Sequence, residues 1–383
     1  MLYDRIYMDL RSILKNIETE VLLDSFAIRI RKRTFCSPGL DEEYTYFLSQ
    51  EINKDNDIES NTSFDYYSME NLDNPVSPGI IFLFHGLNEK KWDKYLPWAY
   101  QLTKLTGKTV ILFPIAFHMN RAPLEWSNSR LMQKLSITRA AKSANSHSSF
   151  VNAAISERLD SYPQRFLLSG LQTYTDFCRL VELIRRGDVH NIHPDSSIDL
   201  FGYSIGAFFS LLLMMDNPKN LLTNARLFMF CGGATYDKTF PVSKYIVDKS
   251  ASTSVAFFLD KMFKNKVHTE KVINRCLEKL LPRQSYFTGL MNYKQFKDLR
   301  EKRLSRIYER IKVIVLERDR VVVPQEVIDS LSVKAGGHKS NIDVMDFNFP
   351  YSHVSPFPLV KKYNLQVDKS FKYIMEKAGE FLS

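Results

Sequence analysis

Residues 198–218 read Ile-Asp-Leu-Phe-Gly-Tyr-Ser-Ile-Gly-Ala-Phe-Phe-Ser-Leu-Leu-Leu-Met-Met-Asp-Asn-Pro. This pattern predicts a short apolar strand, a sharp turn over Gly-Tyr-Ser-Ile-Gly, and an apolar helix that ends before Pro218. Strand, turn and helix in this order are the context in which a G-x-S-x-G motif forms a nucleophile elbow. The two glycines leave room for strand and helix to pass each other. The hydroxyl of Ser204 is therefore expected to project at the positive end of the helix, unless the serine only caps it.

Similar apolar runs occur along most of the chain and alternate with helical patterns. Runs without polar residues are typical of strands that are buried on both faces of a parallel sheet. The fold class is therefore predicted to be α/β, with a mostly parallel central sheet flanked by helices. The predicted core strands cover residues 80–84, 109–113, 198–201, 225–231, 311–316 and 342–347.

The spacing of these runs predicts the domain organisation. Residues 76–233 and 309–383 are expected to form the core, preceded by N-terminal helices and an edge hairpin in residues 1–75. Segment 114–163 is too long for a simple crossover and is interpreted as an insertion after a core strand. Segment 234–308 is helical in pattern and poor in strands, which indicates a cap or lid. The hairpin is predicted from an alternating stretch at 26–35 and an aromatic one at 44–48, with an exposed loop at 49–63.

Composition limits the class of protein. The chain has 383 residues, of which 44% are hydrophobic and 13% aromatic, as in folded globular proteins. It has no apolar run of the roughly 20 residues that cross a bilayer, and its N-terminus has no signal-peptide pattern. The four cysteines are scattered and form no metal-binding pattern, which favours free thiols in a reducing compartment. A cytoplasmic protein without a transmembrane segment, metal or cofactor is expected.

Charge is unevenly distributed. The chain carries a net charge of +9, and many of its basic residues lie within 261–312. Such a stretch could attract a polyanion. However, acidic residues alternate with the basic ones at helical spacing, which favours solvated helix faces. No nucleic-acid partner is expected.

Three polar residues follow predicted strands and together suggest nucleophilic catalysis. Ser204 comes first, Asp319 second and His353 third. A serine hydroxyl needs a base to take its proton, and the base needs an acid to orient it. Glu317 is an alternative acid, although Asp319 lies further beyond its strand. His338, in a Gly-Gly-His stretch, is an alternative base, although His353 follows the last strand and His338 precedes it.

From about residue 80 to the C-terminus, the chain resembles the α/β-hydrolase superfamily. The resemblance rests on the His85-Gly86 turn after a strand, the elbow at Ser204, the acid loop that begins at Asp319 and the loop of His353. It implies an α/β-hydrolase-like fold in which the backbone N–H groups of Leu87 and Ile205 form an oxyanion hole. It also implies that His85 holds its turn by hydrogen bonds.

The stretch after residue 113 is expected to reach the rim of the site. Arg121 or Arg130 could bind a carboxylate or phosphate on the substrate, and Trp126 could line an acyl or aromatic pocket. The alternative is that Arg121 forms an ordinary i,i+4 ion pair with Glu125 and that Trp126 belongs to the core.

Two functions remain in competition on these grounds. The first is a serine hydrolase of esterase or lipase type that cleaves an ester, thioester or amide of a small-molecule or acyl substrate through an acyl-enzyme on Ser204. The second is a non-catalytic α/β-hydrolase-like protein that binds a ligand or a partner. The sequence does not identify the substrate.

Overall fold

A computed structural model describes residues 2–39, 54–73, 77–143, 147–264, 285–333 and 341–383. Among these residues, one sheet contains nine strands in the order β1-β2-β3-β5-β4-β6-β7-β8-β9. Strands β4 to β9 are mutually parallel, and β1 to β3 add an antiparallel edge beside β5. The strands are β1 Glu20–Leu23, β2 Ile28–Cys36, β3 Ser63–Asn71, β4 Gly79–Phe84, β5 Thr109–Leu112, β6 Ser197–Tyr203, β7 Leu227–Phe230, β8 Ile311–Leu316 and β9 Ile342–Met345.

Helices cover both faces of this sheet. The α-helices in the described ranges are α1 Tyr3–Leu10, α2 Glu59–Thr62, α3 Leu96–Thr106, α4 Ser129–Ser143, α5 Ala153–Ser161, α6 Arg165–Arg185, α7 Ile205–Asp216, α8 Lys249–Lys264, α9 Ser285–Met291, α10 Lys297–Leu304, α11 Pro324–Leu331 and α12 Asn364–Leu382. Within those ranges, the structure contains no helix that is both long and apolar enough to cross a membrane.

Strand β4 shows why the central strands have no polar positions. All six of its residues are buried. Ile80, Phe82 and Phe84 face a core formed with α6 and α7, whereas Ile81 and Leu83 face a second core formed with α1, α3 and α12. Side chains of a strand alternate between faces, so a strand covered on both sides is apolar throughout.

The N-terminal edge differs from the prediction. Strand β2 covers most of the stretch predicted at 26–35, but it pairs with β1 and β3. Strand β3 was not predicted, and part of the expected loop at 49–63 forms α2. Residues 44–48 lie outside the described residues. The polar residues of β3 hide the strand in the sequence pattern. Glu70 is one of them, and it is paired across the strands with Arg31 at 3.1 Å.

The two predicted insertions contact each other. Segment 114–163 contains α4 and α5, and the described part of 234–308 contains α8 to α10. Arg139 of α4 is buried and bonds Asp248 at the start of α8 at 2.8 Å and Glu157 of α5 at 2.5 Å. A buried charge is stable only when it is paired in this way. The two segments are thus joined by buried ion pairs.

Candidate active site

Ser204 stands on the predicted sharp turn between β6 and α7. Its backbone has φ 56° and ψ −120°, which is a strained conformation for a residue with a side chain. The neighbouring glycines explain how the turn is accommodated. A Cβ on Gly202 would lie 2.5 Å from Cα of Ala207, and one on Gly206 would lie 2.4 Å from the carbonyl oxygen of Phe84. Both distances are impossible contacts, so only glycine fits these two positions.

The structure brings together the three residues that sequence spacing suggested. Oγ of Ser204 lies 2.7 Å from Nε2 of His353, and Nδ1 of His353 lies 2.7 Å from Oδ2 of Asp319. Asp319 and His353 are only 3% and 6% exposed. The other oxygen of Asp319, Oδ1, accepts hydrogen bonds from the N–H groups of Val321 and Val322. Hydroxyl, imidazole and carboxylate therefore form one continuous hydrogen-bonded line.

The alternative acid does not occupy this line. Glu317 is exposed to solvent two residues before Asp319, whereas the carboxylate of Asp319 is buried against the imidazole. The alternative base, His338, lies outside the described residues.

A network that the sequence did not reveal holds the loop of His353. The hydroxyl of Tyr203, next to Ser204, donates a hydrogen bond to the carbonyl oxygen of His353. The ammonium group of Lys94 donates to the carbonyl oxygen of Val354 at 3.3 Å. It also lies 4.7 Å from the ring centroid of Tyr203, within cation–π distance. Two consecutive carbonyl groups of the loop are thus fixed from the elbow and from the segment before α3.

The same network reaches the turn after β4. Glu89 forms an ion pair with Lys94 and accepts a hydrogen bond from the hydroxyl of Tyr95 at 3.1 Å. That hydroxyl in turn accepts the N–H of Gly86 at 2.9 Å. The histidine loop and the His-Gly turn are therefore linked through one ion pair. Sequence reasoning missed Glu89, Lys94 and Tyr95 because no motif marks residues that act through backbone groups of distant loops.

His85 fixes the turn from inside the protein. Its Nδ1 donates to the carbonyl oxygen of Gly86 at 2.8 Å, and its Nε2 accepts the N–H of Ile115 at 3.0 Å. Complete burial holds the pKa of His85 well below its usual range, so the ring stays neutral. Within the described part of the chain, the N–H groups of Leu87 and Ile205 have no acceptor.

Arg121 is not brought to the site. Its side chain is completely buried, and its three nitrogens donate to Asn61, to the carbonyl oxygen of Pro114 and to Asp176. The ion pair with Asp176 is 2.8 Å long and replaces the i,i+4 pair with Glu125 considered above. The prediction of a substrate-binding arginine is corrected here, because every side-chain nitrogen of Arg121 is used to join α2, the β5 loop and α6.

Trp126 and Arg130 lie further from the elbow. Trp126 is half-buried and packs against the core, and Arg130 is exposed at the start of α4. Neither is among the described residues that line the two cavities next to Ser204. The stretch after β5 contributes other residues, Ile115 and Phe117, to a cavity wall.

Two apolar cavities meet beside Ser204, and they share five wall residues: Leu87, Leu159, Phe166, Ile205 and Phe208. The elbow cavity reaches Ser204 and holds about 670 Å³ of space, and the deep cavity holds about 860 Å³, each partly open to solvent. Characteristic walls of the elbow cavity are Ser204, Ile246, Val247, Val255, Val321 and Val322. Residues that line the deep cavity and not the elbow cavity include Ile155, Leu171, Phe209, Leu212 and Phe287.

The described residues include no group of three or more His, Cys, Asp or Glu side chains that could hold a metal ion. Cys178 and Cys231 are buried free thiols. Burial raises the pKa of Cys178 to about 12, so this thiol stays protonated.

One protein-family model matches most of this chain. A family model described as a family of unknown function, DUF6051, matches residues 39–383. The chain belongs to the DUF6051 family. No curated protein sequence matches it.

Solved structures similar to this DUF6051 chain include three hydrolytic enzymes. An S-formylglutathione hydrolase from Agrobacterium tumefaciens has 12% identity and a TM-score of 0.46, over 96% of this chain and 100% of that one. Carboxyl esterase 2 from Tuber melanosporum has 12% identity and a TM-score of 0.45, over 92% of this chain and 87% of that one. A mutant of esterase rPPE has 10% identity and a TM-score of 0.45, over 95% of this chain and 86% of that one. The mostly parallel sheet with helices on both faces confirms the predicted α/β-hydrolase-like fold class.

A second buried histidine beside the turn makes the stability of the DUF6051 chain sensitive to acid. Nδ1 of His118 donates to the carbonyl oxygen of Ala116, and burial lowers the pKa of His118 to about 4 from an ordinary value of 6.5. Between these two values the unfolded chain binds a proton that the folded chain does not. The free energy of unfolding is therefore expected to fall by about 2 kcal/mol from pH 7 to pH 5 through this residue.

Urea unfolding at pH 7 and pH 5 tests this expectation. In His118→Asn, whose amide nitrogen can replace Nδ1 as donor, the decrease between the two pH values should be smaller than in the wild type by about that amount. The exposed His193 provides the control, since His193→Asn should retain the wild-type decrease. Equal decreases in wild type and His118→Asn would contradict the assignment.

Proposed function

We propose that this protein is a serine hydrolase that cleaves a carboxylic ester, thioester or amide through an acyl-enzyme on Ser204. The observation that carries the proposal is the unbroken line from Oγ of Ser204 through His353 to Asp319, with 2.7 Å at each step. Its position on a strained strand-to-helix turn, beside two N–H groups without an acceptor in the described residues, adds the parts that acyl transfer requires.

The geometry supports the following sequence of steps. Nε2 of His353 takes the hydroxyl proton as Oγ of Ser204 attacks the carbonyl carbon of the substrate. The carbonyl oxygen becomes an oxyanion, which the N–H groups of Leu87 and Ile205 stabilise. The imidazolium then donates its proton to the leaving group as the carbon–heteroatom bond breaks. A water molecule repeats the cycle on the acyl-enzyme, with His353 again as base, and releases the acid.

Asp319 acts on the imidazole in this proposal. Its carboxylate accepts the proton on Nδ1, which leaves Nε2 of His353 free to receive the proton of Ser204. The N–H groups of Val321 and Val322 hold Oδ1, so the carboxylate cannot turn away. The negative charge also stabilises the imidazolium that forms during each proton transfer.

The non-catalytic alternative explains less of the site. The φ of Ser204 costs on the order of 1–3 kcal/mol, which the surrounding structure must offset. A protein that only binds a ligand has no use for a strained serine aligned with an imidazole. A nucleophilic serine needs the imidazole as its base, and the turn holds the hydroxyl of Ser204 within reach of it.

Two arginines of segment 261–312 have structural contacts in the described residues. Arg300 is buried and donates to the carbonyl oxygens of Ser330 and Gly289. Arg310 donates to those of Leu222 and Ala225. These guanidinium groups join α10 and the loop before β8 to the core, so part of the local positive charge has a structural role.

A fluorophosphonate probe tests the proposed function directly. Intact mass spectrometry of the wild-type protein should show one adduct per chain, because one activated serine is expected to react. Digestion should place that adduct on the peptide that contains Ser204. A folded protein that stays unlabelled at a probe concentration that saturates a known serine hydrolase, or that is labelled elsewhere, would overturn the proposal.

A further inference from the structure

The two cavities beside Ser204 allow the substrate to be specified further, given the proposed function. We infer that the substrate carries an uncharged, unbranched acyl chain of medium length in the deep cavity and an apolar leaving group in the elbow cavity. The class is thus a medium-chain ester or thioester rather than an acetyl ester, a charged acyl compound or a peptide.

The orientation follows from which loops line each cavity. Val321 and Val322 belong to the loop of Asp319, and both line the elbow cavity together with Ser204. The leaving group must receive its proton from Nε2 of His353, which Asp319 holds, so it lies on this side. The described walls of the deep cavity include no residue of the acid loop or of the histidine loop. The acyl group therefore extends into the deep cavity past the wall that the two cavities share, which includes Leu87 and Ile205.

The depth of the cavity sets the length of the chain. Ile205, Phe208, Phe209 and Leu212 line it along one side of α7, which starts directly after Ser204. A helix rises about 1.5 Å per residue, so Leu212 lies about 12 Å from the serine along the axis. An extended alkyl chain advances about 1.25 Å per carbon, which gives roughly ten carbons. The walls admit a medium-length chain to this depth.

The charges at the wall explain why the chain is uncharged. Arg158 and Arg165 line the deep cavity, and both form two hydrogen bonds to the carboxylate of Asp55 at 2.8–2.9 Å. His118 also lines it, and burial keeps this imidazole neutral. The other side chains of the wall are mostly apolar. An ammonium group on the acyl chain would face two guanidinium groups, and a carboxylate would have to compete with Asp55 for them in an otherwise mostly apolar wall. Burial of either charge there is unfavourable.

Gly170 offers a precise way to shorten the deep cavity. It lies on α6 in the cavity wall, and a Cβ added there would meet no atom within 4 Å. A larger side chain at this position thus enters empty space and not a packed core. Gly170→Leu should fill part of the cavity, and Gly170→Ala should fold equally well and leave most of the space free.

The experiment measures kcat/KM with p-nitrophenyl acetate, butyrate, octanoate and decanoate. In the wild type, kcat/KM should rise from acetate to decanoate by at least tenfold, since burial of each methylene contributes up to roughly fourfold. Gly170→Leu should lower kcat/KM for decanoate by at least tenfold and change that for acetate by less than twofold. Gly170→Ala, which adds a single methyl group, should lower kcat/KM for decanoate by less than Gly170→Leu does.

A second pair of variants tests the orientation. Leu212→Ala should extend the deep cavity and shift the preferred ester from decanoate toward dodecanoate. Ser252→Phe should narrow the elbow cavity at a half-buried position of α8. It should therefore lower kcat/KM for 2-naphthyl butyrate relative to methyl butyrate and leave the acyl-length profile unchanged. If circular dichroism shows that Gly170→Leu does not fold, Leu212→Ala and Ser252→Phe test which cavity holds the acyl chain.

Each outcome separates this inference from the proposed function. Ester turnover without preference for chain length, or an equal loss on all esters in Gly170→Leu, would overturn the inference and leave the hydrolase intact. If Gly170→Leu changed the preference for the leaving group and not the preference for acyl length, the leaving group would lie in the deep cavity. That result would also overturn the inference. Absence of both turnover and fluorophosphonate labelling in folded protein would instead remove the proposed function.

Discussion

Replacement of Ser204 by alanine is expected to reduce kcat for ester hydrolysis by a factor on the order of 10^5 and to abolish labelling by a fluorophosphonate. The reason is that Oγ of Ser204 is the atom aligned with Nε2 of His353, at 2.7 Å. Without that oxygen, the proposed oxyanion hole and the cavities would still be present to bind an ester, but no acyl-enzyme could form. The measurement is the rate of p-nitrophenyl butyrate hydrolysis, corrected for the uncatalysed rate.

Ser210 provides a matched control on the same helix. It lies on α7 and its hydroxyl donates to the carbonyl oxygen of Gly206 at 2.7 Å, so it makes a local contact without a base beside it. Ser210→Ala should keep kcat within about threefold of the wild type, since it removes one hydrogen bond of modest worth. Retention of more than about a hundredth of the wild-type kcat in Ser204→Ala would contradict the nucleophile assignment.

The fold could be predicted because burial and local geometry both leave a mark on the sequence. A parallel strand covered on both faces has no polar position, and β4 and β7 show this over their whole length. The elbow is marked because the close approach of β6 and α7 excludes a side chain at Gly202 and Gly206. Both constraints act within a few neighbouring residues, so a single sequence displays them.

The remaining features depend on contacts between distant segments. Strand β3 contains polar residues that are compensated by β2, and Arg121 finds its partner Asp176 on α6. A buried arginine and an exposed one have the same sequence signature, because the partner decides between them. Lys94 and Glu89 are close in sequence, but their effect on the loops at Gly86 and Val354 depends on the tertiary fold. Such roles require the structure.

The choice between two acids shows how the structure sharpens the candidate site. Sequence spacing leaves Glu317 and Asp319 only two residues apart, at the end of β8. The chain turns after the strand, where the N–H of Asp319 donates to the carbonyl oxygen of Leu316 at 2.9 Å. This turn carries Asp319 inward and leaves Glu317 at the surface. The distinction is a property of the turn and has a direct functional consequence.

Asp319→Asn is therefore expected to lower kcat by about 10,000-fold, whereas Glu317→Gln should remain within about twofold of the wild type. The asparagine keeps the shape of the site, and its oxygen can still accept the N–H groups of Val321 and Val322. Its amide nitrogen, however, would donate to Nδ1 of His353 and so place the imidazole proton on Nε2, where the proton of Ser204 must be received.

Two readouts separate this tautomer effect from a loss of structure. The labelling rate with a fluorophosphonate should fall in parallel with kcat in Asp319→Asn, because both reactions need the same proton transfer from Ser204. KM and the urea unfolding midpoint should change little, since the cavities and the hydrogen bonds of the acid loop are preserved. A larger loss in Glu317→Gln than in Asp319→Asn would reverse the assignment of the acid. Equal and small losses in both would show that His353 needs no carboxylate to act as the base.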